Sequence, residues 1–420
     1  MAEPRQQAPT APAPARGGTL NEKLWAAAAS AAAAARRWPW WLQVSVLYFG
    51  TRIYGFGVFA VAALHQGASP WGAGKPDYWH FLQIWDSEWY SKIYQDGYPG
   101  TLPRGESGLV QENQWAFYPL FPLLARGLTA ASGLGWAGAS VLLAPAFGLA
   151  AALVAYRLFR RFASVSTSMW SMAFLLTFPV SPILQVPYAE SLNLFLLASA
   201  LLLLVRRRYL AAIPVVLLMC LSRPVGVPFA ALAALSVLLR FRARARDPFP
   251  PAEMARAAAF VAASAAGAVA WPVIAWAATG EPKAYTDTEA AWRGGQLVPL
   301  RPWLDASLNF FGPVAGWFFL ALLAAAVALY LNSKAVRRLG TDLRLWSACY
   351  LGYLALFLYP QTSTFRLLLP LFPLALAAAF VSRSRAYRSA VVVMFLLLQI
   401  VWVDWLWVWT QLPGGGDWPP

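Results

Sequence analysis

Runs of about 20 apolar residues recur along this chain, and they constrain its fold more than any other feature. Of its 420 residues, 59% are hydrophobic and 12% are charged, which is roughly half the charged fraction of a soluble domain. A helix of about 20 apolar residues crosses the hydrocarbon core of a bilayer and satisfies its own backbone hydrogen bonds there. The sequence therefore predicts an all-α polytopic membrane protein.

Eleven segments have the composition and length expected of membrane spans. They are residues 42–64, 137–156, 167–182, 189–205, 209–222, 225–239, 257–278, 310–331, 345–359, 366–381 and 389–408. The first of these runs, residues 42–64, is too long for a cleaved signal peptide and begins too far from the N-terminus. We expect residues 1–41 to be a disordered tail with a short Ala-rich helix at 24–35, and residues 409–420 to be a C-terminal tail. Segment 116–131 is expected to be interfacial or re-entrant.

The distribution of charge predicts how these spans are oriented. With the N-terminus inside, the cytoplasmic segments hold 23 Lys and Arg residues and the outer segments hold 9, while 13 of the 18 carboxylates lie outside. This is the asymmetry of the positive-inside rule. The net charge of +15 therefore indicates membrane topology, and no nucleic-acid partner is expected. If the protein is bacterial, the membrane is the plasma membrane; if eukaryotic, the endoplasmic reticulum.

Residue usage also limits the chemistry of the chain. The two histidines and two cysteines form no cluster, so a zinc site has no ligands. Cys220 and Cys349 lie in separate apolar runs, which argues against a disulfide framework. No cofactor is expected, and the outer carboxylates do not require a metal ion, although they could hold a divalent one.

The long polar stretch 80–122 lies between the first two spans and carries five carboxylates, Asp86, Glu88, Asp96, Glu106 and Glu112. Apolar spacing predicts a helix over residues 79–96 that lies on the membrane surface, with Gly97 ending it in the left-handed conformation. Asp86 and Tyr90 then share a face, whereas Glu88 points elsewhere. A plainer interpretation is an interfacial anchor with solvated carboxylates.

Four further outer segments carry, between them, aromatic, acidic and basic residues. They are Asn113–Pro122, Pro187–Ser191, Ser222–Gly226 and Thr364–Pro370. Arg223 and Arg366 have the chemistry to bind a lipid phosphate, although arginines near a membrane usually anchor at the interface. Glu190 stands at a predicted helix start, where it could also be a plain N-terminal cap.

In order and spacing, these segments resemble the PIG-V family of mannosyltransferases, within the GT-C superfamily. The matching residues are Trp85-Asp86-Ser87-Glu88, Asp96-Gly97-Tyr98, Trp115–Pro122, Ser181-Pro182, Tyr188–Ser191, Ser222-Arg223 with Gly226, and Phe365–Pro370. The chain departs from some members at Trp89, where they carry His. The resemblance covers residues 45–380.

The resemblance implies a GT-C-like bundle of about eleven spans, residues 42–408, with a catalytic loop at 65–136. It implies transfer of mannose from a polyprenyl-phosphate donor to an extracytoplasmic glycolipid, glycan or protein. Asp86 would be the base of an inverting displacement, and Arg366 or Arg223 would bind the donor phosphate. Sugar hydroxyls would be oriented by Glu190 and Glu88. The expected pocket residues are Trp85, Tyr90, Tyr118, Tyr188 and Asn113.

Three alternatives remain open from the sequence: a GT-C enzyme that uses another lipid-linked sugar, a transporter and a non-catalytic scaffold protein. A transporter is expected to carry charged or broken spans that converge at mid-bilayer. Arg52 is the only strong candidate of that kind within a predicted span, so the sequence favours an enzyme.

Overall fold

The computed structural model describes residues 37–292 and 298–413, together with Ser30, Ala34, Asp417, Pro419 and Pro420. The predicted Ala-rich helix at 24–35 and most of the predicted tail 1–41 lie outside the described residues. The chain divides into two units, Met1–Gln43 and Val44–Pro420. All contacts reported below lie within the second unit.

The described chain is built from α-helices joined by short turns and one long polar stretch. The α-helices are α1 Trp40–His65, α2 Tyr78–Phe81, α3 Asp86–Asp96, α4 Leu120–Ser132, α5 Trp136–Phe159, α6 Val165–Thr177, α7 Glu190–Val205, α8 Tyr209–Cys220, α9 Gly226–Arg242, α10 Pro251–Thr279, α11 Ala284–Ala291, α12 Arg301–Asn332, α13 Lys334–Arg337, α14 Gly340–Phe357, α15 Thr364–Leu367, α16 Pro373–Val381 and α17 Arg385–Trp402. Short 3-10 turns occupy Gln114–Ala116, Ser181–Gln185, Ala243–Ala245 and Leu369–Leu371, and a π-turn follows at Val403–Trp407.

The prediction of an all-α membrane protein is confirmed. In the described ranges no β-sheet forms, and the β-pairing consists of two isolated bridges, Ser69 with Gly72 and Arg104 with Val110. Six helices there are each long and apolar enough to cross a membrane, and a bent pair would make a seventh. Large apolar side chains such as Phe310 and Leu329 are more than 70% exposed, as expected of a lipid-facing surface.

All eleven predicted spans coincide with helical segments, but several of these helices are short. Helices α6, α7 and α8 have 13, 16 and 12 residues, and at about 1.5 Å per residue they are shorter than a hydrocarbon core of about 30 Å. Eleven full crossings therefore stay a prediction. Segment 116–131 contains α4, whose 13 residues are too few to cross alone.

One predicted span and the long helix α12 are broken rather than continuous. Residues 364–371 and 373–381 meet at an angle of 77°, because Pro370 and Pro373 lack the N–H groups that a continuous helix needs. Within α12 the backbone leaves the helical region at Gly312, which has a φ of 78°. The predicted span 310–331 corresponds to the part of α12 that follows this break.

Helix α7 is the centre of the bundle. Twelve of its sixteen residues are buried, as expected of a helix that is apolar on every side. Beside it, α5 approaches α1 closely at Gly148, where an added Cβ would lie 2.3 Å from the Tyr48 hydroxyl. This packing fixes Glu190, the first residue of α7.

The predicted helix over residues 79–96 is wrong in one respect, because it divides into α2 and α3. Trp85 interrupts it with φ 60° and ψ −131°, a strained conformation for a bulky residue. Its indole N–H donates to the carbonyl of Trp407 at 2.8 Å, a contact across the fold that apolar spacing does not report. Gly97 ends α3 with a φ of 79° but a ψ of −141°, so it is not left-handed helical as predicted.

Candidate functional site

Four charged side chains from distant parts of the sequence form one chain of ion pairs. Arg366 Nη1 lies 2.5 Å from Asp86 Oδ2 and 3.5 Å from Glu190 Oε1. Arg223 Nη2 lies 3.2 Å from the same oxygen of Glu190. All four side chains are at most 15% exposed. Charge alternates along this cluster, called here the four-charge cluster, so its net formal charge is zero.

Helix ends and turns place the four groups. Asp86 and Glu190 are the first residues of α3 and α7, where the helix dipole favours a carboxylate. Arg223 lies in the turn between α8 and α9, and Arg366 lies in α15, just before the 77° bend. The four-charge cluster therefore occupies one end of the bundle.

Two buried tyrosines support these charges. The Tyr188 hydroxyl accepts the backbone N–H of Asp86 at 2.9 Å, and the Tyr188 ring lies 5.5 Å from the Arg366 guanidinium, within the range of a cation–π contact. Burial and the nearby Asp86 raise the pKa of Tyr188 well above its ordinary value, so its hydroxyl stays protonated. Burial likewise raises the pKa of Tyr90.

Arg223 keeps its charge in spite of its burial. Burial lowers the pKa of its guanidinium, but Glu190 and then Tyr90 and Asp86 raise it by more, so the net pKa lies above the ordinary value. The Tyr90 ring lies 6.3 Å from the Tyr188 ring. Arg223 is thus a permanent cation beside Glu190.

Several polar atoms of the four-charge cluster have no hydrogen-bond partner among the described residues. They are Arg366 Nε and both carboxylate oxygens of Glu190, of which Oε1 has only the ion-pair contacts to the two arginines. Unpaired buried polar groups are costly and often mark a place that a ligand or water fills. A cavity of about 70 Å³ adjoins them, lined by Glu190, Asn193, Arg223, Tyr350, Tyr353 and Arg366, among others.

A second, apolar cavity begins where the first one ends. It measures about 310 Å³ and lies among aromatic and aliphatic side chains that include Phe174, Phe178, Phe372 and Phe395. The two cavities share Leu369, in the 3-10 turn of the bend. The first cavity, with its charged lining, and the second, apolar cavity therefore both lie within a few residues of the bend.

The structure brings together six of the ten predicted site residues. These are Asp86, Glu190, Arg223, Arg366, Tyr188 and Tyr90, as their contacts show. Trp85 lies directly before Asp86 and is anchored on Trp407.

Three predicted residues, Glu88, Asn113 and Tyr118, have other partners. Glu88 accepts from the Trp71 indole and pairs with Lys92, each at 2.7 Å, so it stands outside the four-charge cluster. Asn113 caps the 3-10 turn at Gln114–Ala116 and donates to Thr288. These contacts of Glu88 and Asn113 hold the long polar stretch in place, and none of them involves the four-charge cluster.

Tyr118 belongs to an aromatic cluster. Its hydroxyl lies 3.1 Å from that of Tyr285, and its ring packs on Trp271. The cluster joins the long polar stretch to the segment around α11.

Some residues of the cavity were not predicted. Asn193 donates to the Ser222 hydroxyl at 2.9 Å, and Tyr350 and Tyr353 line the opening. Asn193 was detectable as a polar residue one helical turn after Glu190 in an apolar run. The two tyrosines carry no such signal, because aromatic residues recur throughout these spans.

The chain matches no protein-family model and no curated protein sequence. It is similar to solved structures that include two of ArnT. ArnT from Cupriavidus metallidurans bound to undecaprenyl phosphate is 13% identical, with a TM-score of 0.48, over 83% of this chain and 62% of that one. ArnT from the same organism in the apo state is 14% identical, with a TM-score of 0.45, over 80% and 59%. This chain thus spans about three fifths of the length of each. Likenesses this distant say nothing about activity.

Proposed function

We propose that this protein is a membrane glycosyltransferase of the GT-C type, which transfers a mannosyl group from a polyprenyl-phosphate donor to an extracytoplasmic hydroxyl. The observation that carries the proposal is the four-charge cluster, buried at one end of an apolar bundle and beside two adjoining cavities. The motifs that resemble the PIG-V family include all four of its residues.

Arg366 is the residue best placed to hold the donor phosphate. Its Nε is buried and unpaired among the described residues, and it lines the polar cavity. A guanidinium binds phosphate oxygens through a fixed fork of N–H groups. It also stabilises the negative charge that develops on the leaving phosphate as the glycosidic bond breaks. Arg223 adds a second cation on the other side of Glu190.

Asp86 is the proposed general base. Its carboxylate pairs with Arg366, so a phosphate that engages Arg366 competes for that partner and releases the carboxylate. The acceptor oxygen then attacks the anomeric carbon, its proton passes to Asp86, and the bonding electrons leave with the phosphate oxygen. A single displacement of this kind inverts the anomeric configuration.

The two cavities suit the two parts of such a donor. The polar cavity, of about 70 Å³, is the size of the phosphate group, and the apolar cavity, which shares Leu369 with it, takes the first prenyl units. This arrangement explains why the reaction centre is embedded in a helical bundle.

A panel of labelled donors tests the proposal. Membranes that contain the protein are incubated with polyprenyl-phosphate mannose, glucose or arabinose, and sugar transferred to endogenous acceptors is counted. We expect transfer from the mannosyl donor. Transfer from another donor alone would contradict the mannose assignment, and no transfer from any donor would favour a transporter or scaffold.

A pair of arginine variants tests the phosphate contact in the same assay. Arg366→Ala should raise the KM for donor at least about tenfold, because charge-assisted hydrogen bonds to a phosphate are strong. Its matched control is Arg301→Ala, an exposed arginine paired with Asp305, which should leave the KM unchanged. Equal effects of the two changes would exclude Arg366 as the phosphate ligand.

A further inference from the structure

The end of the bundle opposite the four-charge cluster contains a second polar cavity. It measures about 350 Å³ and is lined by residues of three segments. The arginines among them are Arg160, Arg161, Arg338, Arg383 and Arg388. No carboxylate lines the cavity. Helix α5 separates this cavity from the long polar stretch, and its 24 residues correspond to about 36 Å.

These arginines have no anionic partner on the protein. Among the described residues none of the five forms an ion pair with a carboxylate, whereas Arg207 and Arg240, elsewhere on the chain, both pair with Asp247. The guanidiniums of Arg161, Arg338 and Arg383 also make no hydrogen bond within that part of the chain. Converging unpaired guanidiniums repel one another unless an anion lies between them. The cavity therefore has the charge of an anion site.

Part of this site is rigid. Arg388 is 4% exposed, and its Nε and Nη2 donate to the carbonyls of Ser382 and Ala379 at 3.0 Å each. Its Nη1 has no hydrogen bond to a described residue. Arg338 lies with its guanidinium carbon 4.0 Å from the centre of the Phe380 ring. The fold thus holds the guanidiniums of Arg388 and Arg338, whereas Arg160, Arg161 and Arg383 are exposed.

The rim of the cavity indicates what kind of anion it meets. Val165 and Val381 flank the lining residues and are 51% and 62% exposed, and both belong to apolar helices, α6 and α16. Apolar side chains remain exposed next to a basic cavity where hydrocarbon gives way to headgroups. Planar guanidinium forks match the oxygens of a phosphate.

We propose that this cavity binds the phosphate of an anionic phospholipid headgroup. The acyl chains would lie against Val165 and Val381, and the phosphate would accept hydrogen bonds from Arg388 and the three unpaired arginines. This inference is independent of the proposed transfer reaction, since it concerns the other end of the bundle.

Two triple variants with the same change in net charge test the site. The cavity variant is Arg161→Gln, Arg338→Gln, Arg383→Gln. The control variant is Arg242→Gln, Arg244→Gln, Arg246→Gln, which changes three exposed arginines around the 3-10 turn Ala243–Ala245. Each protein, purified in uncharged detergent, is titrated with dihexanoyl phosphatidylglycerol, dihexanoyl phosphatidylcholine and inorganic pyrophosphate, and the Kd is obtained by thermophoresis.

We expect phosphatidylglycerol to bind the wild-type protein and the control variant with the same affinity, within about twofold. The cavity variant should bind it at least about tenfold more weakly, and phosphatidylcholine should bind none of them measurably. An equal loss in both variants would show a response to bulk charge and overturn the site. Pyrophosphate that binds the wild type as tightly as phosphatidylglycerol, with the same dependence on the cavity arginines, would overturn the lipid assignment in favour of a soluble phosphate.

Discussion

At the scale of single residues, Glu190 determines how the four-charge cluster is held together. Its carboxylate lies between two guanidiniums, within 3.5 Å of each, and its side chain is 5% exposed. Removing one member of a buried ion-pair network leaves the others without compensation. The carboxylate therefore has a structural role as well as a proposed role toward the donor sugar.

We predict that Glu190→Gln lowers the free energy of unfolding by about 3 kcal/mol, since Arg223 and Arg366 then face each other without the negative charge. The measurement is chemical denaturation in detergent micelles. Glu106→Gln, at an exposed position of the long polar stretch, is the matched control and should change stability by less than about 0.5 kcal/mol. A loss below about 1 kcal/mol for Glu190→Gln would mean that the ion pairs contribute little.

The residue types of the site could be predicted from the sequence, but their pairing could not. Asp86 and Arg366 are 280 positions apart, and no local periodicity reports that they touch. Glu88 and Glu190 are both acidic and aromatic-flanked, yet only Glu190 joins the four-charge cluster. The difference arises because α7 starts at the bundle centre, whereas Glu88 has Trp71 and Lys92 as nearer partners.

At the scale of helices, the close approach of α1 and α5 depends on Gly148. An added methyl would meet the Tyr48 hydroxyl at 2.3 Å and the Leu184 carbonyl at 3.2 Å. Small residues allow membrane helices to approach this closely. The Tyr48 hydroxyl also donates to the Pro145 carbonyl at 2.9 Å, so displacing it removes a hydrogen bond between the two helices.

We predict that Gly148→Ala destabilises the protein by about 1–3 kcal/mol through overpacking. Gly50→Ala is its control: Gly50 lies in α1 with no atom within 4 Å of an added Cβ, so the change should be neutral or stabilising by up to about 1 kcal/mol. The prediction is tested by comparing the thermal unfolding of the two variants. If both shift alike, the interface does not require a glycine.

Arg52 explains how α6 can end inside the bundle. It lies in α1, is 7% exposed, and donates to the carbonyls of Ser181 and Leu176. Leu176 lies in the last turn of α6, where carbonyls have no helical N–H to pair with, and its carbonyl accepts from the Ser181 hydroxyl as well. The sequence places Arg52 within a predicted span. It does not predict the end of α6 beside which Arg52 donates its hydrogen bonds, because a contact between residues more than a hundred positions apart leaves no local pattern.

Arg52→Met should therefore destabilise the protein by about 1–3 kcal/mol, the cost of leaving buried polar groups unpaired. The effect is measured by denaturation in micelles, with Arg242→Met, an exposed arginine, as the control. An unchanged midpoint for Arg52→Met would show that neighbouring hydroxyl and amide groups suffice to pair these carbonyls.

At the scale of the whole molecule, charge divides the bundle into two ends. Carboxylates and aromatic residues gather around the four-charge cluster, and unpaired arginines gather around the opposite cavity. The apolar runs and the positive-inside rule predict a division of this kind, because both depend on composition. The helix breaks at Trp85 and at residues 364–381 depend on tertiary contacts and on how proline is used, and neither break was predicted.

The topology makes a direct prediction about accessibility. In a background with Cys220→Ala and Cys349→Ala, a membrane-impermeant maleimide applied to intact cells should label Glu106→Cys. It should label Ala386→Cys, an exposed position at the arginine-rich end, only after the membrane is opened. The reverse pattern would place the proposed active site in the cytoplasm and contradict the assigned orientation.

The most direct test of the account is the turnover of Asp86→Asn with labelled polyprenyl-phosphate mannose, beside Glu106→Gln. Both changes replace one carboxylate with an amide in the same polar stretch, and only Asp86 lies in the four-charge cluster. We predict that Asp86→Asn stays folded and membrane-inserted and loses at least about a hundredfold in kcat, the contribution typical of a general base, while Glu106→Gln keeps wild-type turnover. Full turnover by a folded Asp86→Asn protein would contradict the proposed mechanism.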